Sequence, residues 1–301
     1  MADIVLSSIS QGLLWSVMAI GVFLTFRILD IADLSAEGSF PMGAAVCALL
    51  IVKGLHPFWA TVAGMLGGML AGAVSGFMHT KMKIPALLTG IITLTGLYSV
   101  NLLILGRSNL SLSGQITLVS IVQDWGLEKT TAVLLIGGAF VGAVILSLVI
   151  LLNTQIGLAL RATGDNLAMG EANGIKVDRM KILGYMLSNG LIALSGALLA
   201  QNNGYADLNM GVGTIVIGLA SIILAEVVIK YLPLGQRLLS IVLGAVLYRL
   251  IIVIILAMNV DAQMIKLVSA LLLALILYVP EIRSKLKIKP AGTLKAEGEK
   301  R

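Results

Sequence analysis

The sequence predicts an all-α polytopic membrane protein, with about nine transmembrane segments that include an inverted repeat and broken helices. Three observations lead to this fold class: an extreme composition, a series of long apolar runs, and two similar short segments on either side of the chain's middle. Hydrophobic residues make up 58% of the 301 residues and charged residues only 12%. A soluble domain carries about twice that charged fraction, so lipid must be part of the solvent of this fold.

Apolar runs divide the chain into candidate spans, because a helix needs about 20 residues to cross the hydrocarbon core. The runs cover residues 4–28, 36–52, 58–78, 86–106, 131–152, 182–200, 212–229, 238–258 and 263–279. The second, seventh and ninth are short for a straight crossing. They are therefore predicted to be broken or partly re-entrant helices, which are tolerated where protein or water covers the freed backbone.

The distribution of Lys and Arg predicts which side each loop faces, because cytoplasmic loops are enriched in basic residues. With the N-terminus outside and the C-terminus inside, only Lys53, Arg107 and Lys129 fall in outer loops. Most of the 21 basic residues then lie inside, in the loop 153–181 and in the tail. Residues 1–282 are predicted to form the transmembrane domain with 153–181 as a cytoplasmic loop, and 283–301 to form a basic cytoplasmic tail that touches anionic lipid.

Several function classes are excluded at this level. The basic residues lie between apolar runs, which is typical of topology signals and not of a nucleic-acid-binding face. The single cysteine, Cys47, rules out a disulfide within the chain, and the start of the sequence lacks the basic region of a cleaved signal peptide. His56 and His79 do not have metal-ligand spacing, and no G-x-x-x-x-G-K-[ST] loop is present to bind ATP.

A weak internal repeat is visible in two short segments. Ala32-Asp33-Leu34-Ser35, the first ADL segment, precedes Gly38 and a span, and Ala206-Asp207-Leu208-Asn209, the second ADL segment, precedes Gly211, Gly213 and a span. Five spans lie between them, and an odd shift reverses direction in the membrane. Inverted repeats with broken helices at matching positions mark the solute path in many transporters. The alternatives are a chance match and two surface turns ahead of straight helices.

Glycines predict close helix packing in two places. Gly64, Gly68, Gly72 and Gly76 recur every four residues on one helix, and Gly138 and Gly142 repeat the spacing on another. Small residues allow two backbones to approach closely where lipid provides no hydrophobic drive for association. We expect these faces to pack within the chain, and a face between two copies is the alternative.

The longest inner loop, 153–181, is predicted to contain a short helix of about two turns. Asp165 is placed to cap the start of that helix, and Asn173 or Gly174 to end it in a left-handed conformation. Leu167 and Met169 would then be exposed on the cytoplasmic side unless a partner protein covers them. An ordinary inner loop is the alternative interpretation.

The sequence here resembles a known family. The loop pattern Arg161-Ala162, Asp165-Asn166-Leu167, Met169-Gly170 and Gly174-Ile175 is similar to the coupling-helix loop of ABC importer permeases of the branched-chain amino acid and ribose type, and the resemblance covers most of the chain. The segments 26–30 and 37–44 resemble the opening of these permeases. The stretches 37–41 and 211–220 look most like the tryptophan/tyrosine transport permease branch of this family.

The resemblance implies the partners: a cytoplasmic ABC ATPase that binds ATP and Mg, an extracytoplasmic substrate-binding protein, and a second permease copy in the bacterial cytoplasmic membrane. The chain itself would hold no cofactor and no catalytic site. The implied ATPase-coupling residues are Asp165, Asn166, Leu167, Met169, Glu171, Asn173 and Gly174. The longer Glu-Ala-Ala motif of other importers is reduced to Glu171-Ala172 and Gly174, which leaves open which residues contact the ATPase.

The solute path is predicted at the two ADL segments, at the interface of two permease copies. The candidate pathway residues are Ser35, Glu37, Gly38, Ser39, Phe40, Asn209, Gly211, Gly213 and Thr214. The predicted function is import of a small solute, with no enzymatic activity in this chain, and the resemblance implies that the solute is an amino acid, including aromatic ones. The alternative is a secondary transporter driven by an ion gradient, which shares inverted repeats and broken helices but needs no docking helix.

Overall fold

A computed structural model describes residues 2–228, 233–257, 264, 267–275 and 278 as an almost entirely helical bundle. The first helices are α1 (Ala2–Phe23, continued by a π-helical turn, Leu24–Ile28), α2 (Ala36–Val52), α3 (Pro57–Thr80), α4 (Ala86–Leu105), α5 (Leu118–Gln123) and α6 (Lys129–Asn153). They are followed by α7 (Gln155–Asp165), α8 (Leu167–Ala172), α9 (Val177–Asn203), α10 (Thr214–Val228) and α11 (Leu234–Ala257). Strand β1 (Asn109–Ser111) pairs antiparallel with β2 (Tyr205–Asp207), and a 3-10 turn (Leu208–Gly211) precedes α10.

The prediction of an all-α polytopic membrane protein is confirmed. Within the described residues, seven helices are long and apolar enough to cross a membrane. The predicted second run forms α2, which has 17 residues and is too short for this criterion. The ninth run, 263–279, is described only in part, so the count of about nine spans stays a prediction. The predicted tail, 283–301, lies outside the described residues.

The centre of the bundle is formed by α1 and α9. In each of these helices, 72% of the most apolar 18-residue stretch is buried. Serine hydroxyls join these two helices: Ser188 donates to the Gly21 carbonyl at 2.7 Å, and Ser195 donates to the Leu14 carbonyl at 2.7 Å. Each hydroxyl is thereby satisfied in an interior that offers no water. In the peripheral α4 and α6, only 28% of the most apolar 18-residue stretch is buried. Both helices expose Leu and Ile side chains, as lipid-facing helices do.

The glycine stripe of α3 packs against α9, which confirms close packing within the chain. A Cβ on Gly72 would overlap the Tyr185 carbonyl oxygen, and one on Gly68 would overlap Ala193. The same expectation is wrong for α6 within the described structure, because a Cβ on Gly138 or Gly142 would meet no atom within 4 Å. These two glycines are exposed on a peripheral helix, so spacing alone does not identify a packed face.

The two ends of the bundle collect different loops. At the end that carries α7, called the α7 end, Glu226 pairs with Arg27 and with Arg237, and Lys81 contacts Asp178 at 2.7 Å. At the other end, called the strand end, β1 and β2 pair beside the loops that contain Lys53, Arg107 and Lys129. The loops predicted to face the same side of the membrane therefore do lie at the same end of the bundle.

Candidate solute site and coupling surface

The first ADL segment is a turn between the π-helical end of α1 and the start of α2, and its Asp33 and Ser35 are buried. The Asp33 carboxylate accepts hydrogen bonds from the Ser35 backbone N–H at 2.9 Å and from the Asn189 side-chain amide at 2.7 Å. Ser35 also donates to Asn189 at 3.2 Å. Asp33 is 8% exposed and Asn189 is fully buried, so a carboxylate in the bundle interior is held by neutral donors from two elements.

The second ADL segment repeats part of this geometry at the strand end. The Asp207 carboxylate accepts from the Asn209 backbone N–H at 2.7 Å, the same i to i+2 bond that Asp33 makes. The chain then forms the 3-10 turn, passes through Gly213 at a φ of +84°, and enters α10 at Thr214. A left-handed φ of this kind favours glycine, and it allows α10 to begin in a new direction.

The stretches that follow the two segments meet. The Gly213 N–H donates to the Glu37 carboxylate at 2.9 Å, although 176 residues separate them. A Cβ on Gly211 would overlap the Glu37 carbonyl oxygen and lie 2.7 Å from the Pro41 ring. The first turn of α2 and the approach to α10 are therefore in backbone contact, and neither segment is an isolated surface turn.

A cavity of about 450 Å³ opens beside this contact. Its apolar wall is formed by Pro41, Leu94, Tyr98, Leu208 and Val212, and its polar wall by Glu37, Thr95, Ser99, Asn101 and Asn209. The Asn101 amide donates to the Gly38 carbonyl at 3.1 Å, and its Oδ1 has no partner among the described residues. The cavity lining therefore combines apolar side chains with a carboxylate and neutral polar side chains, a mixture typical of small-solute sites.

The predicted pathway residues divide into two groups. Glu37, Gly38 and Asn209 line the cavity, whereas Ser35, Ser39, Phe40, Gly211 and Thr214 are buried and Gly213 anchors Glu37. Phe40 faces the core, where its ring stacks on Trp15 at 5.4 Å between centroids. The sequence reasoning missed Thr95, Tyr98 and Ser99 of α4, and the run of Thr, Tyr, Ser and Asn in an otherwise apolar span was the available signal.

The loop 153–181 forms two helices where one was predicted. Asp165 is the last residue of α7 and does not cap the next helix. Asn166 is the cap instead, because its side chain accepts from the Met169 backbone N–H at 3.0 Å and leaves Asp165 free to end α7. Asn173 ends α8, and Gly174 follows at a φ of +75°, the left-handed conformation expected there.

This pair of helices presents an apolar surface to solvent at the α7 end. Leu167 and Met169 are 45% and 56% exposed, and Glu171, Asn173 and Gly174 beside them are also exposed. On its other side, α7 is fixed to the bundle, because a Cβ on Gly164 would overlap the Ile28 carbonyl oxygen. The chain continues from this contact at Ile28 to Asp33, five residues later. The Gly164 contact of α7 is therefore close along the chain to the turn that precedes α2.

Comparison with known proteins gives matches over nearly the whole chain. The family described as "Branched-chain amino acid transport system / permease component" matches residues 4–279. The tyrosine transport system permease protein of Clostridioides difficile (strain R20291) is 38% identical over 94% of this chain and 93% of its own length. An uncharacterized protein of Rickettsia prowazekii (strain Madrid E) is 33% identical over 90% and 95% of the two chains.

More distant similarity extends to import of another solute. The autoinducer 2 import system permease protein of Escherichia coli (strain K12 / DH10B) is 27% identical over 73% of this chain and 62% of its own length. No solved structure matches the chain significantly. The helical bundle, the cavity beside two helix starts and these similarities agree, and the chain therefore belongs to the permease components of branched-chain amino acid transport systems, the membrane subunits of ABC importers.

Proposed function

We propose that this chain forms the membrane path of an ATP-driven importer for an aromatic amino acid in a bacterial cytoplasmic membrane. The observation that carries the proposal is the 38% identity with a tyrosine transport system permease over 94% of the chain. Membership in the permease family argues against the alternative of an ion-driven secondary transporter. The ATP and Mg would be bound by the partner ATPase, and this chain would act as a transport subunit without catalytic residues.

The cavity suits an amino acid with a large apolar side chain. Glu37 would offer a carboxylate for the solute's ammonium group, and Leu94, Tyr98 and Val212 in the same lining would offer apolar and aromatic surface. An aromatic ring stacked on Tyr98 would gain dispersion and quadrupole interactions that a sugar gains less of. The cavity's volume of about 450 Å³ lies within the range of small-ligand sites.

The partners are assigned from the two ends of the bundle and from the open side of the cavity. The exposed apolar surface of α7 and α8 is proposed to enter a groove on the ATPase, with Asp165, Asn166, Leu167, Met169, Glu171, Asn173 and Gly174 at the contact. The binding protein would dock at the strand end, and a second copy of the chain would cover the cavity. The two ADL segments would then be related halves of an inverted repeat in a chain of about nine spans.

Solute uptake tests this proposal. Proteoliposomes that contain the permease, its ATPase and its binding protein should take up labelled tyrosine or tryptophan with ATP inside, and labelled ribose should not enter. Glu37→Gln should raise the KM for uptake about tenfold, because a charged partner of the ammonium group becomes neutral. Asp207→Asn, a matched change outside the cavity, should leave KM unchanged. Equal uptake of ribose and tyrosine would contradict the substrate class.

Energy coupling is tested at Leu167 and Gly174. Leu167→Asp should abolish uptake with the fold intact, because a carboxylate would enter an apolar groove without a partner. Gly174→Val should do the same, because a β-branched residue is strongly disfavoured at its φ of +75°. Leu167→Ala, which brings no charge, and Gly174→Asn, which tolerates a left-handed φ, are the matched controls and should retain most of the uptake. Normal uptake in both Leu167→Asp and Gly174→Val would remove this loop from the mechanism.

The orientation is tested by cysteine labelling. We propose that the N-terminus is outside and the C-terminus inside, which places the strand end outside. Asn109→Cys should react with an impermeant maleimide in intact cells, and Asn166→Cys only after the membrane is opened. The native Cys47 is fully buried and gives little background. The opposite accessibility would reverse the orientation.

The second copy is tested by cross-linking. Val212 lines the cavity and is 52% exposed, so Val212→Cys should form a disulfide between two copies in the membrane. Leu146→Cys on peripheral α6, which is 62% exposed, should not. Cross-linking through Leu146 alone would place the dimer contact on the other side of the bundle.

A further inference from the structure

A second cavity, of about 530 Å³, lies at the strand end between α1, α6, α9 and α11. It is lined by Ser10 and Gln11 of α1, Lys129 at the start of α6, Asn202 and Asn203 at the end of α9, and Arg249 of α11. None of its lining residues within the described structure is acidic. The cavity is thus distinct from the one beside Glu37, and its charge is of the opposite sign.

Arg249 gives this cavity its character. It is located in the apolar helix α11, where a charged side chain is expensive and calls for compensation. Its Nε donates to the Gln11 side-chain carbonyl at 2.9 Å, and an Nη donates to the same oxygen. Over the described residues, no carboxylate lies within ion-pair distance of the guanidinium. A neutral amide cannot cancel the charge, and the described lining of the cavity holds two basic residues, Lys129 and Arg249, and no acidic one, a charge balance that favours an anion.

Further groups converge on the same space. Lys129 is the first residue of α6, whose preceding residue Glu128 makes no side-chain cap, so the free N–H groups of the first turn add partial positive charge. The Asn202 side-chain amide is 8% exposed and makes one long bond, 3.5 Å to Asn203, so it can supply a neutral donor, whereas the Ser10 hydroxyl donates to a backbone carbonyl of α1. An arginine fork, a lysine and a neutral donor form a suitable set for a tetrahedral oxyanion.

We propose that this cavity holds the phosphate of an anionic phospholipid. An apolar side chain is exposed close to the cavity on α1: Leu6, one helical turn before the lining residue Ser10, is 38% exposed. A headgroup phosphate at Lys129 and Arg249 would leave acyl chains beside this apolar side chain. A free anion would interact with the basic residues but not with the exposed apolar side chain beside them. A phospholipid would interact with both, and we therefore propose a lipid.

Lipid retention by the full-length chain tests the proposal. In native mass spectrometry after delipidation and titration, phosphatidylglycerol should bind at least about tenfold more tightly than phosphatidylcholine. The double variant Lys129→Gln/Arg249→Gln should lose about tenfold in that affinity, as expected for lost charge-assisted hydrogen bonds. Arg107→Gln removes one exposed charge at the same end outside the cavity and should bind like the parent.

Other outcomes separate the sources of the anion. Lys129→Gln alone changes an exposed side chain and should show a smaller loss in the same direction, which keeps the test valid if Arg249→Gln does not fold. A rise in melting temperature with inorganic phosphate, without selectivity for phosphatidylglycerol, would overturn the lipid assignment. Equal lipid binding by the parent and the Lys129 and double variants would overturn the site altogether.

Discussion

The two ADL segments share a local sequence and a local hydrogen bond, yet they differ in burial and in their other hydrogen-bond partners. In both, the aspartate accepts from the backbone N–H two residues on. Asp33 also receives the Asn189 amide and is buried, whereas Asp207 lies at the strand end and bonds Asn109 at its surface. The same short sequence therefore produces a turn in both places, and the surroundings decide whether that turn is a buried junction or a surface one.

The helix starts differ as well. After the first segment α2 begins at once, at Ala36, while after the second a 3-10 turn and Gly213 intervene before α10. The extra turn brings Gly211 and Gly213 against Glu37, so the approach to α10 packs against the first turn of α2. One segment is thus fixed by side chains from α9, and the other by backbone contact with α2.

The largest expected effect is at Asn189. Asn189→Leu removes one donor to the buried Asp33 carboxylate while the Ser35 N–H remains, and losing a hydrogen bond to a buried charged group costs about 3 kcal/mol. We expect a large drop in the melting temperature of the purified chain, or no folded protein. Asn209→Leu, on the exposed side of the second segment, is the matched control and should change stability by less than about 0.5 kcal/mol. Equal stability of the two variants would contradict the conclusion that only the first segment is fixed by buried side chains of α9.

A smaller effect is expected from the contact at Gly211. Gly211→Val places a side chain against the Glu37 carbonyl and the Pro41 ring, and such overpacking costs about 1–3 kcal/mol. Gly213→Ala meets no atom within 4 Å and pays only for its left-handed φ, about 1–2 kcal/mol. Thermal unfolding should rank the parent above Gly213→Ala and Gly213→Ala above Gly211→Val. The reverse order would show that dihedral strain, and not contact, joins the segments.

The smallest effect is expected at Asp207. Asp207→Ala removes the acceptor for the Asn209 N–H and should lower the free energy of unfolding by about 1 kcal/mol, as for loss of a helix cap. Asp207→Asn retains an acceptor oxygen and should restore most of that loss. A decrease as large as that of Asn189→Leu would mean that the second segment is as deeply integrated as the first.

Much of the fold was predictable from composition and run length. The boundaries of α2, for example, agree with the apolar run 36–52, because a span in lipid has to satisfy its backbone internally and has few alternatives to a helix. The left-handed Gly174 after α8 was predictable because glycine tolerates that conformation at low cost. The cap of α8 was not, since Asp165 and Asn166 are both good caps and only the end of α7 decides between them.

By itself, the sequence determined that this protein is a helical membrane protein and located most of the described helices to within about five residues. These properties depend on solvent and on local hydrogen bonding, which neighbouring residues control. Only the tertiary structure decided that Gly72 packs while Gly142 faces outward, that Glu37 meets Gly213 across 176 residues, and that Arg249 finds an amide in place of a carboxylate. Each of these depends on which helix lies opposite, and spacing along one helix carries no information about its neighbour.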